Sequence, residues 1–272
     1  MTLASLICVA IIAEASLAAI MAGAWAIQRR TGNSGWIDAT WTFGVGVVSA
    51  LLALVAVGSP DAPIWRRETV ALLVAVWSLR LGGHIVRRTL KAGDDPRYRK
   101  LIEEWGQAAP QRLFQFLQAQ ALVGAVLAVS VALAAHAPST QLRIQDIVGV
   151  ALFVIAVIGE GAADAQLARF QADPANRGKI CDVGLWSRSR HPNYFFEWLV
   201  WVAFAVIAAD AARAGALGFL AALAPAIMYL TLRYASGVPP LEAHMLRSRG
   251  DAFRAYQERT PIFFPRLTAP RD

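Results

Sequence analysis

The stretch LFQFLQAQALVGAVLAVSVALAA, Leu113 to Ala135, holds no Asp, Glu, Lys or Arg. At 1.5 Å rise per residue a helix of this length crosses a hydrocarbon core of about 30 Å. Nothing in it alternates with the period of a half-buried strand, so it reads as a membrane-spanning helix. Six further runs of similar character flank it: Leu3 to Ile27, Ile37 to Val57, Thr69 to Val86, Ile147 to Leu167, Tyr194 to Ala209 and Ala214 to Leu232. The expected architecture is therefore all-α, a single integral membrane domain over 1–272 with seven transmembrane helices. The first run lacks a basic start and is longer than a signal-peptide core, so it is read as retained.

Composition agrees. Hydrophobic residues make up 57% and charged residues 17% of the 272, against about 25% charged in a soluble domain. That excludes disordered, collagen-like and ordinary cytosolic classes. Cys8 lies in an apolar run and Cys181 in a basic loop, so neither a disulfide framework nor a zinc site can be built. The four histidines are not spaced as metal ligands. The net charge of +7 could suggest nucleic acid, but the placement of the charges argues otherwise. Loops one, three and five and the tail carry 2, 7, 5 and 7 Lys and Arg, whereas the opposite side carries Arg66, Arg67, Arg143 and Arg213. Cytoplasmic loops hold such an excess, which puts the amino terminus outside and the carboxyl terminus in the cytoplasm, in what is expected to be a bacterial inner membrane. Juxtamembrane cations that contact anionic lipid explain the basic charge without nucleic acid.

Two cytoplasmic segments have helical apolar spacing. Asp95-Pro96 followed by Tyr98, Leu101, Ile102 and Trp105 reads as a short interfacial helix. A second such piece runs from Ser236-Gly237-Val238-Pro239-Pro240 through Glu242, Met245, Leu246, Phe253 and Tyr256 to Ile262-Phe263-Phe264-Pro265. There is no internal repeat.

Ionisable groups at membrane depth are costly and mark sites by default. Asp38 falls at the cytoplasmic end of its span, Arg80, His84, Glu160 and Asp164 in the inner halves of theirs and Asn193 and Glu197 at the start of theirs, all at one depth, and Glu14 is the only acid that lies deeper. The pairs Arg80/His84, Glu160/Asp164 and Asn193/Glu197 are four residues apart, so each shares a helix face. Snorkelling or structural ion pairing accounts equally well for Arg80 and His84. Carboxylates have short side chains and snorkel poorly, which points to a functional cavity. Before the sixth span, Arg188, Arg190 and His191 stand beside the helix start at Pro192, where free N–H groups add to the positive field and favour a phosphate-bearing ligand. Gly44-Val45-Gly46 lies inside a span and is no dinucleotide fingerprint.

Gly184-Leu185-Trp186, the run Arg190-His191-Pro192-Asn193-Tyr194 and the tail near Tyr256 and Pro265 resemble the carboxyl-terminal domain of the steroid 5α-reductase family, in its bacterial membrane branch. The resemblance covers 160–265 and is weak before that. Sterol reductases and isoprenylcysteine or phospholipid methyltransferases share the Arg-His-Pro-x-Tyr core. It implies an NADPH-dependent reduction of a carbon–carbon double bond conjugated to a ketone, in a lipophilic substrate. Glu160, Asp164, His191, Asn193 and Glu197 would then lie near the cofactor, with Arg169, Lys179, Arg188 and Arg190 at its phosphates. Tyr194, Glu242 and Arg254 would help close the pocket. Glu197 favours the reductase, because the methyltransferase pattern has a small residue and an aromatic there. The family holds its ketone with a Glu of helix two and a Tyr of helix three, where this chain offers Asp38 and, near His84, Ile85. Hydride addition puts charge on the carbonyl oxygen and needs a donor there. Asp38 is the first candidate, as a neutral acid, with Glu14 and His84 behind it. A methyltransferase using S-adenosylmethionine in the same site is the alternative. A transporter is disfavoured by the lack of an inverted repeat.

Overall fold

The computed structural model describes residues 1–55, 62–209 and 215–266. It is 82% helix with no strand among the described residues, and six of its helical segments are long and apolar enough to cross a membrane. The protein is thus an all-helical membrane protein. The end of the second expected span (Val57), the start of the seventh (Ala214), Arg213 and Arg271 lie outside the described residues.

The chain forms two compact units, Met1–Gly149 with Phe204–Ala224, and Val150–Ala203 with Pro225–Asp272. The first contains α1 (Leu3–Thr31), α2 (Ile37–Leu54), α3 (Ile64–Ala92), α4 (Pro96–Trp105), α5 (Ala109–Ala135) and the start of α6 (Ile144–Ala172). Thr2 and Ser5 close a reciprocal capping box at the head of α1, and Gly32 ends it at φ 69°. One stripe of α1 is buried, Leu6, Val9, Ala13, Leu17, Met21 and Ala24, and it packs on α5 and α2. α2 and α3 approach closely because Gly46 has no side chain: a Cβ there would stand 2.3 Å from the Ser78 Cβ. Ser78 uses that proximity to donate to the Thr42 carbonyl at 3.1 Å. Trp77, Leu117 and Val131 complete this core with no exposure above 0%.

α3 begins five residues before the expected span, and it takes Arg66 with it. Arg66 is 1% exposed. Its guanidinium donates to the carbonyls of Ala137 (3.0 Å), Ser139 and Gln141 (3.2 Å) and pairs with Asp146 at 2.7 Å. Arg143 holds the other oxygen of Asp146 at 2.7 Å. This charge sits in a buried ion-pair network rather than in an open loop. α4 is the interfacial helix expected from Asp95-Pro96, with the Asp95 carboxylate capping the Arg97 N–H at 2.9 Å.

The second unit holds most of α6, α7 (Pro192–Ala208) up to Ala203, α8 (Leu223–Leu230), α9 (Val238–Arg249) and α10 (Asp251–Arg259). α7 is apolar but 17 residues long, about 25 Å. The last apolar stretch is not one regular helix. A 3₁₀ segment, Gly215–Ala222, precedes α8, and a π-turn, Thr231–Ala235, follows it. Pro225 has no N–H to give to the carbonyl of Ala221, and the hydroxyl of Ser130 donates to that carbonyl instead, at 3.1 Å. The apolar run ends at the π-turn. α9, with Glu242, His244, Arg247 and Arg249, lies beyond it.

Candidate functional site

Both units carry polar clusters. In the second unit, α6 presents Glu160, 3% exposed, and Asp164 one turn later; α7 presents Asn193 at its first turn and Glu197, 6% exposed, four residues on. The Asn193 amide donates to Asp164 across the two helices at 3.4 Å, and its oxygen accepts the Tyr194 N–H at 3.0 Å. These two bonds fix which way the amide points. Glu197 accepts from the indole of Trp201 at 3.0 Å. The close approach of α6 to α7 depends on Gly159, where a Cβ would meet the Phe196 ring at 2.4 Å. Three carboxylates and an amide are therefore gathered on two apolar helices, where desolvation alone would disfavour them.

The loop before α7 is fastened to the tail. Arg190 donates to Glu242 at 2.7 Å and to the carbonyls of Gln257 (3.0 Å) and Thr260 (2.7 Å). His191 donates from Nε2 to the same carboxylate at 3.0 Å, and Gln257 adds a third donor at 2.7 Å. Two backbone bonds, Arg190 N–H to the Pro261 carbonyl (2.9 Å) and Arg266 N–H to that of Arg188 (3.0 Å), lay the tail along the loop. Ser189 and Tyr256 pin it through the carbonyls of Phe263 and Trp186. Arg190 and Glu242 are thus committed to holding the tail, whereas Arg169, Lys179, Arg188 and Arg254 are exposed. The Nδ1 of His191 is buried with no hydrogen-bond partner, and its ring stacks on Tyr194 at 5.4 Å.

Burial pushes the Glu242 carboxyl up, but the bonds from His191 and Arg190 and the charge of Arg190 outweigh it and hold the group at about 2. Burial lowers His191 below 6.5, against the opposing pull of Glu242, which favours the neutral ring. Both folded-state values are depressed, so both groups stabilise the docked tail at high pH and lose that contribution on acidification. The thermal midpoint in detergent should hold steady above about pH 7 and fall as His191 titrates below about 6.5. It should fall again from about 4.5 towards 2 as Glu242 takes its proton. The His191→Gln variant should show a smaller first step.

In the first unit Glu14 stands apart from Asp38, the first of the residues expected to carry the chemistry. Gly44 of α2 packs on Leu17 and Ile20 of α1. Asp38 lies six residues from Gly44 towards one end, and Glu14 lies beyond Leu17 towards the other, roughly 15 Å apart along the axes. His84 is exposed on α3. Asp38 has gathered other partners. It accepts from the Arg97 guanidinium and, at 2.7 Å, from the Tyr98 hydroxyl. Gln120 of α5 in turn donates to that hydroxyl at 3.0 Å. Asp38 is thus an acceptor in this network. Its one hydroxyl belongs to Tyr98, 4% exposed, which sequence reasoning had placed among the apolar contacts of α4. The available signal was a tyrosine one residue after Arg97 on a helix capped by Asp95.

Fold and clusters together define a polytopic helical membrane protein with carboxylates gathered at one end of two of its apolar helices. The chain belongs to the family described as Protein of unknown function (DUF1295), which it matches over residues 24–260. No curated protein and no solved structure matches it.

Proposed function

We propose that the protein is a membrane-embedded, NADPH-dependent reductase of a carbon–carbon double bond conjugated to a ketone in a lipophilic substrate. The observation that carries this reading is the bridge from Asn193 to Asp164, with buried Glu197 one turn on, at the start of α7 behind a cationic loop. The resemblance of 160–265 to the steroid 5α-reductase family points the same way. In this reading α7 also crosses the membrane, as the sixth of seven spans, the amino terminus is outside and the carboxyl terminus cytoplasmic.

The residues present fit the cofactor. The buried, unpartnered Nδ1 of His191 and the oxygens of Asp164 and Glu197 are acceptors suited to a carboxamide N–H. Arg169, Lys179, Arg188 and Arg254 are exposed donors suited to phosphate. Arg190, Glu242 and Tyr194 act on the tail and the loop and keep them closed over these groups. The bound cofactor would supply hydride. The donor to the oxygen on which charge develops is not Tyr98 or Asp38: Tyr98 gives its one O–H to Asp38, which accepts from it and from Arg97, so both are committed to a network that ties α4 to α2. Glu14 and His84 are not assigned the role either.

Thermal unfolding of the detergent-purified protein with NADPH, NADH and S-adenosylmethionine tests the reading, since a ligand that binds only the folded state raises its midpoint. A rise with NADPH that is lost in Asn193→Ala is expected. A rise with S-adenosylmethionine alone would replace the reductase by a methyltransferase.

A further inference from the structure

The second unit also has a groove of about 380 Å³, within the range of small-ligand sites. Its walls are Trp198 and Val202 of α7, Pro225, Ala226 and Tyr229 of α8, and Phe264 of the tail, and every surface it exposes is apolar. The polar atoms of its aromatic walls are already used. The Trp198 indole donates to the Pro225 carbonyl at 3.0 Å, and the Tyr229 hydroxyl is hydrogen-bonded to Tyr234. Phe264, 51% exposed, stacks on Tyr229 at 5.8 Å. A half-open apolar trough on two membrane helices asks for a chain of methylenes.

One end of the trough is cationic. The Arg233 guanidinium lies 4.6 Å from the Tyr234 ring, whose centre is 6.0 Å from that of Tyr229. Apolar walls ending at the Arg233 guanidinium complement a molecule with a long apolar chain and an anionic head. We propose that this groove binds one acyl chain of an anionic phospholipid, with the phosphate at the Arg233 end. The lipid would hold the tail's aromatic end against α7 and α8. This goes beyond the reductase reading and does not rest on it.

The test uses full-length protein stripped of lipid in detergent, with phosphatidylglycerol and phosphatidylcholine added separately and the thermal midpoint measured. Phosphatidylglycerol at saturation should raise it by about 5 °C and phosphatidylcholine by much less. Ala226→Trp, which fills the groove, should abolish the rise, and Arg233→Gln should reduce phosphatidylglycerol to the level of phosphatidylcholine. Equal rises with both lipids in the unsubstituted protein, or an undiminished rise in Ala226→Trp, would overturn the proposal. If Ala226→Trp shows no cooperative transition, phosphatidylglycerol brominated on its acyl chain decides. Added at one per protein, it should quench unsubstituted protein more than Trp198→Phe, and equal quenching would overturn the site. NADPH stabilisation measured on the same samples keeps the two readings separate, because its loss would sink the reductase while leaving the lipid response in place.

Discussion

Replacing Glu242 with alanine should cost the second unit about 3–5 kcal/mol and release its tail. The carboxylate accepts from Arg190, His191 and Gln257 at once, and the Arg190 side chain is 9% exposed. Alanine leaves a buried guanidinium with only two carbonyls and a buried imidazole N–H with none. The desolvation cost of those groups then stands uncompensated. Glutamine keeps the volume and an oxygen for the Arg190 and His191 donors but loses the charge and turns an NH₂ towards Gln257, so Glu242→Gln should recover part of the loss. Limited proteolysis reads the result: cleavage within Asp251–Arg259 should be fast in the alanine variant, intermediate in the glutamine variant and slow in the parent protein. Resistance equal to the parent's would show that the backbone bonds at Pro261 and Arg188 suffice.

The second large effect concerns the polar network of the first unit. Tyr98→Phe removes the buried hydroxyl that donates to Asp38 and accepts from Gln120, leaves both short of a partner, and should cost about 1–3 kcal/mol. NADPH stabilisation should survive, because the assigned cofactor residues belong to the second unit. Asp38→Asn should cost less, because an amide oxygen still accepts from the tyrosine and Arg97 keeps its pairing with Asp95 at 2.8 Å. A thermal midpoint in Tyr98→Phe equal to the parent protein's would contradict this role for the hydroxyl.

Helix existence was legible from apolar length, as Leu113 to Ala135 illustrates within α5. Helix ends were less so. Arg66 looked like a loop charge because the partner that lets it enter α3, Asp146, lies 80 residues away, and no local pattern announces a long-range ion pair. The interruption around α8 was written in Pro225, but periodicity averaged over a span hides one missing N–H. In the candidate site, four-residue spacing puts Glu160 with Asp164 and Asn193 with Glu197 on shared faces, but the bond from Asn193 to Asp164 depends on how α6 and α7 lie together, which no spacing within one helix announces. The commitment of Arg190 to Glu242 did not follow, because any exposed-looking arginine beside a helix start reads as an anion ligand until the tail is laid against it. Asp38 stood out as an acid in a span, yet its role as acceptor depends on Arg97 and Tyr98 of α4, which amphipathic spacing sorts only into polar and apolar faces.

Direct titration of NADPH into the detergent-purified protein tests the central claim. The account predicts saturable binding of one NADPH per chain, weakened at least tenfold by Glu197→Ala and by Arg188→Ala, and falling with salt as phosphate contacts are screened. Absence of saturable NADPH binding in protein that unfolds cooperatively, or affinity unchanged in both variants, would contradict it.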